Sequence, residues 1–284
     1  MTTAANTARL EAGRRIFIRI LVGVDGGDAA LEAARQAALL EDVAGQLTVF
    51  SAWQTAPTVV GGTGSEVPWY YDEDRQRGEA EEAVRAAREY VEPYSSPLTK
   101  IVRATPVAGL LAEIEREQAT MVAVGAGESG RLRGIIEGSV ATELIHRAPC
   151  SVLVARRAEN GFPRRIVAGV DGSVESAAAY AAARYLAQRF DASLQTVVAW
   201  GGKGADARLA AIITDGAHAD SARPPVEALG AAAEDADLLV VGSRGLHGLR
   251  ALGSVSERAA HAAGCSTLVV RLPVWQLVDR ELGR

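Results

Sequence analysis

The sequence predicts an α/β protein made of two tandem copies of one unit, each a parallel five-stranded sheet flanked by helices. Three observations carry this. Apolar runs of strand length alternate with longer stretches of helical spacing, as parallel β-α-β units with right-handed crossovers require. The stretch "RRIFIRILVGVDGGDAALEAARQAALL" (Arg14–Leu40) returns as "RRIVAGVDGSVESAAAYAAARYLA" (Arg164–Ala187), and "GSVATELIHRAPCSVLVAR" (Gly138–Arg156) returns as "GSVSERAAHAAGCSTLVVR" (Gly253–Arg271). The offset between the copies is 146 at Asp25 and Asp171, 147 at Trp53 and Trp200, 117 at Gly125 and Gly242, and 115 at Ser139 and Ser254. The second copy has therefore lost about thirty residues between its second strand and its glycine loop, and two more inside that loop.

The elements follow in order. Ile18–Val24 is a continuous apolar run, expected as a strand buried on both faces. Asp28–Leu40 has amphipathic helical spacing, and Gln46–Trp53 reads as the second strand. Arg77–Val91 predicts a charged, alanine-rich helix with a solvated face, and Thr99–Ala104 the third strand. Pro106 suits the first turn of a helix running to about Gln118. Thr120–Gly125 is the fourth strand, Ser139–His146 a helix and Ser151–Ala155 the last strand. The helix absent from the second copy is the counterpart of Arg77–Val91. "GGKGADARLAAIITDGAHADSARPP" has room for a strand and little more.

The boundaries expected are an arm at 1–15, a first domain at 16–157, a second at 164–272 and a tail at 273–284 whose apolar residues dock on the body. Aromatic residues make up only 5% of the chain, so the core must be built from Ala, Val, Leu and Ile. The net charge of -5 excludes a general nucleic-acid binder. No stretch approaches the roughly 20 apolar residues of a membrane span. Two cysteines and no export signal point to the cytoplasm.

Glycine-rich turns between a strand and a helix are the chemically suggestive feature. Gly125, Gly127 and Gly130 spell G-x-G-x-x-G, a weak dinucleotide fingerprint, because the triplet follows the fourth strand and the other copy lacks it. Asp25 and Asp171 end their first strands, where a carboxylate serves as turn or cap as readily as it meets a ligand. His146/Cys150 and His261/Cys265 share one spacing, which the repeat alone explains; no metal site is expected. "GGKG" at Gly201–Gly204 lacks the spacing of a P-loop. No catalytic residue can be named.

Both copies resemble universal stress protein domains, in tandem form, over nearly everything from Ile16 to Arg271. The resemblance rests on "ILVGVDGG" and "IVAGVDGS", on "VGAGESGRLRGIIEGSV" and "VGSRGLHGLRALGSV", and on "APCSVLVA" and "AGCSTLVV". It implies Rossmann-like domains that pack as an internal pseudo-dimer through Ser151–Ala155 and Thr267–Arg271, with a homodimer of chains. It also implies a stress-response role and, in binding members, an adenine nucleotide such as ATP. Their motif is a glycine, two residues, a second glycine, nine residues, then Gly-Ser or Gly-Thr. Loop amides and a hydroxyl cradle phosphates, and a helix N-terminus faces them.

On this pattern the nucleotide-binding residues are Asp25, Gly125, Gly127, Gly138 and Ser139 in the first copy. In the second they are Asp171, Gly242, Gly245, Gly253 and Ser254. Each copy departs from it. Glu128 stands at the first copy's second-glycine position, where a carboxylate about 6 Å from a phosphate costs on the order of 1–3 kcal/mol; Arg131 and Arg133 can offset part of this. The second copy keeps its glycines but has seven residues, not nine, before Gly253. The contrasting reading is a nucleotide-free interaction or dimerisation module with degenerate sites. At most slow ATP hydrolysis is expected.

Overall fold

The structure is a computed structural model that describes residues 15–54, 73–127, 139–158, 161–171, 173–198, 217–219, 224–243 and 255–271. The first copy runs β1 (Arg19–Gly23), α1 (Asp28–Leu40), β2 (Gln46–Trp53), α2 (Glu73–Val91), β3 (Leu98–Arg103), α3 (Pro106–Glu117), β4 (Met121–Gly125), α4 (Ser139–Arg147) and β5 (Ser151–Ala155). The second runs β6 (Arg165–Val170), α5 (Val174–Phe190), β7 (Ser193–Val198), β8 (Ala217–Ala219), α6 (Pro225–Ala233), β9 (Leu238–Gly242), α7 (Val255–Ala262) and β10 (Ser266–Val270). The α/β class and the parallel pattern are as predicted.

Helix α2 starts at Glu73, earlier than its apolar spacing suggests. Acidic Glu73 and Asp74 suit the helix N-terminus. Exposed pairs such as Arg75–Glu79 and Arg77–Glu81 then support the solvated face. Pro106 does open α3, and Thr105 caps it by accepting a hydrogen bond from the Ala108 amide.

The ten strands among the described residues form one sheet, ordered β3-β2-β1-β4-β5-β10-β9-β6-β7-β8. Every pair is parallel except β5–β10, which is antiparallel and centres on Leu153 opposite Leu268. Two sheets of the same order are thus joined last strand to last strand, with a pseudo-two-fold between them. In the second copy β8 takes the place of β3 beside β7, but as a short strand. The region of the expected helix loss, 199–216, lies outside the described residues, as do the arm to residue 14 and the tail at 272–284.

Each face of the sheet carries one core. α1, α2 and α5 cover one face, with Ala33, Ala34, Ala37, Ala179, Ala182 and Ala183 among residues that lose all exposure. α3, α4, α6 and α7 cover the other, around Leu110, Ile114, Leu144, Leu229 and Ala260. Alanine lets these helices lie close to the sheet, which is how so few aromatic residues suffice. β5 and β10 are buried on both faces along their whole length, as strands between two helical layers must be.

The copies are also clamped on the α1/α5 face. Asp42 is buried and accepts from the Ile16 and Phe17 amides at 2.6 and 2.7 Å. Its other oxygen accepts from the Tyr185 hydroxyl and from the Arg189 guanidinium, at 2.9 Å for the latter. Arg189 also donates to the Leu39 and Leu40 carbonyls at the end of α1. Burial, then the bond to Asp42, pushes the Tyr185 hydroxyl up to about 12.

Candidate functional site

Where β1 meets β4 the connections part. The chain leaving β1 returns through α1 on one face, and the chain leaving β4 returns through α4 on the other. The strand ends therefore open a crevice, the position where ligands bind in open α/β sheets. β6 and β9 repeat this in the second copy. The register sets Val22 opposite Ala123 and Ala168 opposite Val240. Three residues on, Asp25 leaves the sheet level with Ala126, and Asp171 level with Ser243.

The carboxylates are held by their own turns. Val24 is fixed twice, its amide donating to the Phe50 carbonyl at 2.8 Å and its carbonyl accepting from the buried Ser51 hydroxyl at 2.8 Å. The following Asp25 is exposed and accepts from the Gly27 amide at 3.0 Å. Asp171 accepts from the Ser173 amide at 3.0 Å and from its hydroxyl at 2.5 Å. Gly27 and Ser173 are the N-caps of α1 and α5. The turn role is thus met by the aspartates and the cap itself falls two residues later. The caps differ: Ser173 accepts from the Ser176 amide through its hydroxyl, whereas α1 starts without a side-chain cap and its Ala30 amide donates to the Gly27 carbonyl at 3.0 Å.

Gly125 and Gly242 are glycine for a reason the sequence did not reveal. A Cβ on Gly125 would lie 2.6 Å from the backbone carbon of Ala29 in α1. One on Gly242 would lie 2.4 Å from the Glu175 carbonyl oxygen in α5. The first helix of each copy therefore rests its N-terminal turn directly on the end of the fourth strand. That close approach brings the helix amides and their positive dipole end to the crevice. Gly127 has φ +82°, a conformation that favours glycine.

Ser139 is the first residue of α4, while Gly138, Gly245, Gly253 and Ser254 lie outside the described residues, as does Glu128. Asp25, Gly125 and Gly127 therefore come together at one crevice and Asp171 and Gly242 at the other.

Sequence reasoning passed over further residues beside these crevices. Trp53 ends β2, and the Arg103 guanidinium lies 5.3 Å from its ring centre while pairing with Glu73 at 2.7 Å. Nothing local in the sequence marks Trp53 beyond its place in the repeat. Arg156 and Arg271 follow the two last strands and reach across the pseudo-two-fold. Their amides donate to Ser266 and Ser151 respectively, at 3.0 and 3.1 Å. The repeat "VLVAR"/"TLVVR" was visible, but nothing in it says that each arginine serves the other copy.

Cys150 and Cys265 are buried free thiols. Burial raises them from 9.0 to about 12 and about 11, so they pack as small apolar groups. Among the described residues no three His, Cys, Asp or Glu side chains group as a metal site would need. No described helix is long and apolar enough to cross a membrane.

The comparisons agree with this architecture. The chain matches the Universal stress protein family over residues 17–156 and 223–271. A universal stress protein of Mycobacterium tuberculosis is 31% identical over 235 residues, covering 72% of this chain and 78% of the relative. Another from that organism is 27% identical over 289 residues, covering 89% and 96%. The crystal structure of a universal stress protein from Archaeoglobus fulgidus superposes with TM-score 0.64 at 20% identity, over 89% of this chain and 96% of that one. The chain belongs to the universal stress protein family, in its tandem form.

Proposed function

We propose that this protein binds an adenine nucleotide, ATP among them, at one or both crevices and acts as a regulator in a stress response. One observation carries the reading. Each crevice sets an aspartate turn at the end of the first strand beside a glycine that lets a helix N-terminus approach the end of the fourth. A base and ribose would meet the carboxylate side, and phosphates would meet the amides on the glycine side. The first copy, with its longer loop and its flanking helix α2, is the better candidate. The reading assigns no hydrolytic step.

The test is mass spectrometry of small molecules released by denaturing the freshly purified protein, followed by calorimetric titration with ATP. Stoichiometric adenine nucleotide supports the reading, and the ratio per chain tells one site from two. Replacing Glu128 by Gly is expected to tighten ATP binding about tenfold or more by removing a charge from the phosphates. Unchanged affinity in that variant, with Gly138→Val equally silent, would sink the first-copy site. No nucleotide and no titration heat would favour the other reading, a nucleotide-free interaction module, to which Glu128 and the shortened second loop point.

A further inference from the structure

We propose that Arg271 is a positioning residue which the second copy supplies to the first copy's phosphate-facing helix, and that it ties that helix to Ser243 at the end of β9. The inference rests on the nucleotide reading only for what α4 faces. The linkage itself rests on hydrogen bonds. The Arg271 guanidinium donates to the Ile145 and Ala148 carbonyls, the C-terminal end of α4. Its Nε donates at 3.0 Å to the hydroxyl of Ser243, the residue after Gly242 where the second glycine loop begins. The Ser243 amide in turn donates to the Val270 carbonyl at 3.1 Å. One side chain thus holds Ser243, just past β9, and the far end of the helix that opens at Ser139 in the first copy.

Four features make this more than a packing contact. A planar guanidinium can hold several acceptors in fixed directions at once. A cation at a helix C-terminus also complements the dipole whose other end faces the first glycine loop. Burial works against the charge and lowers the Arg271 pKa from its ordinary value, so the carbonyl and hydroxyl acceptors must compensate. Finally, the link is one-sided. Arg156 reaches the Ala260 and His261 carbonyls of α7 only at 3.5 and 3.4 Å, and its Nη1 is buried with no partner among the described residues. Ala126 stands where the second copy has Ser243, so that position offers Arg156 no hydroxyl. Pseudo-symmetry is kept in the β5–β10 pairing and broken in this connection.

The experiment is hydrogen–deuterium exchange on the full chain, with and without ATP, for the wild type, Ser243→Ala, Arg271→Lys and Arg156→Lys. Ser243 belongs to the second copy and reaches α4 through Arg271. Its replacement by Ala is expected to speed exchange at residues 144–148 roughly threefold or more. Arg271→Lys keeps the charge but loses the fork, and should do so more strongly. It should also weaken ATP binding in the first copy by about threefold to tenfold. Arg156→Lys should leave α4 unchanged. Wild-type exchange at 144–148 in both Ser243→Ala and Arg271→Lys would overturn the linkage. Faster exchange there with no ATP bound to any form would support the linkage and overturn the nucleotide reading instead.

Discussion

Two glycines with the same place in the repeat show how one residue type is fixed by a neighbour far away in sequence. Gly242→Ala would drive a methyl into the backbone of α5, and the helix N-terminus would have to back away. We expect a loss on the order of 3 kcal/mol, read as a shift in the urea midpoint, with any nucleotide affinity falling as well. Gly230, inside α6 with nothing within 4 Å of a built Cβ, is the control. Gly230→Ala should be neutral or stabilise by about 0.5–1 kcal/mol. The buried thiols give a pH prediction. Between their unfolded value near 9 and folded values of about 12 and 11, the unfolded chain binds fewer protons than the fold. Stability therefore falls as pH rises through that window, by about 2 kcal/mol per thiol near pH 11. Tyr185, raised to about 12, acts in the same direction. Urea denaturation at pH 8 and near pH 11 checks this, and a Cys150→Ala, Cys265→Ala double variant should show a shallower fall.

At the scale of elements, α5 runs four residues longer than α1 and uses the extra turn. Arg189 sits in that turn and caps α1 across the copies while pairing with Asp42. Removing it leaves a buried carboxylate short of its cation, which is costly in proportion to its burial. Arg189→Ala should lower stability by about 2–4 kcal/mol in chemical denaturation. A change below about 0.5 kcal/mol would mean that water replaces the guanidinium without penalty. Helix α2 behaves differently. Its Arg–Glu pairs are exposed on both sides, so replacing any one of them should be almost silent.

At the scale of the molecule, the sheet is continuous through β5 and β10, and the core on each face draws residues from both copies. The chain should therefore unfold in one transition. Two separated calorimetric peaks would show that the copies are independent. A fragment of residues 15–158 would expose β5, whose five residues are all buried in the full chain. Such an edge invites another strand. The fragment is expected to run as a dimer in light scattering at micromolar concentration, and a stable monomer would contradict this. Because β5 is already paired within the chain, a dimer of full chains would need another surface. On the open edge, β3 carries Lys100 and Arg103, residues that discourage strand pairing.

Sequence alone determined the α/β class, the tandem repeat and nearly every element, because hydrophobic periodicity and turn residues are local signals. Repetition then fixed which strands correspond. Asp25, Asp171 and the strand-ending glycines were legible as candidates for the same reason: each sits at a strand end that the local pattern marks. Contacts between residues a hundred or more positions apart were not legible. No local rule says that Gly125 must clear Ala29, that Arg189 caps α1, or that Arg271 binds Ser243 and α4 together. Those choices follow from which strands become neighbours, and β5 against β10 is the pairing that brings the two copies within reach of each other's side chains.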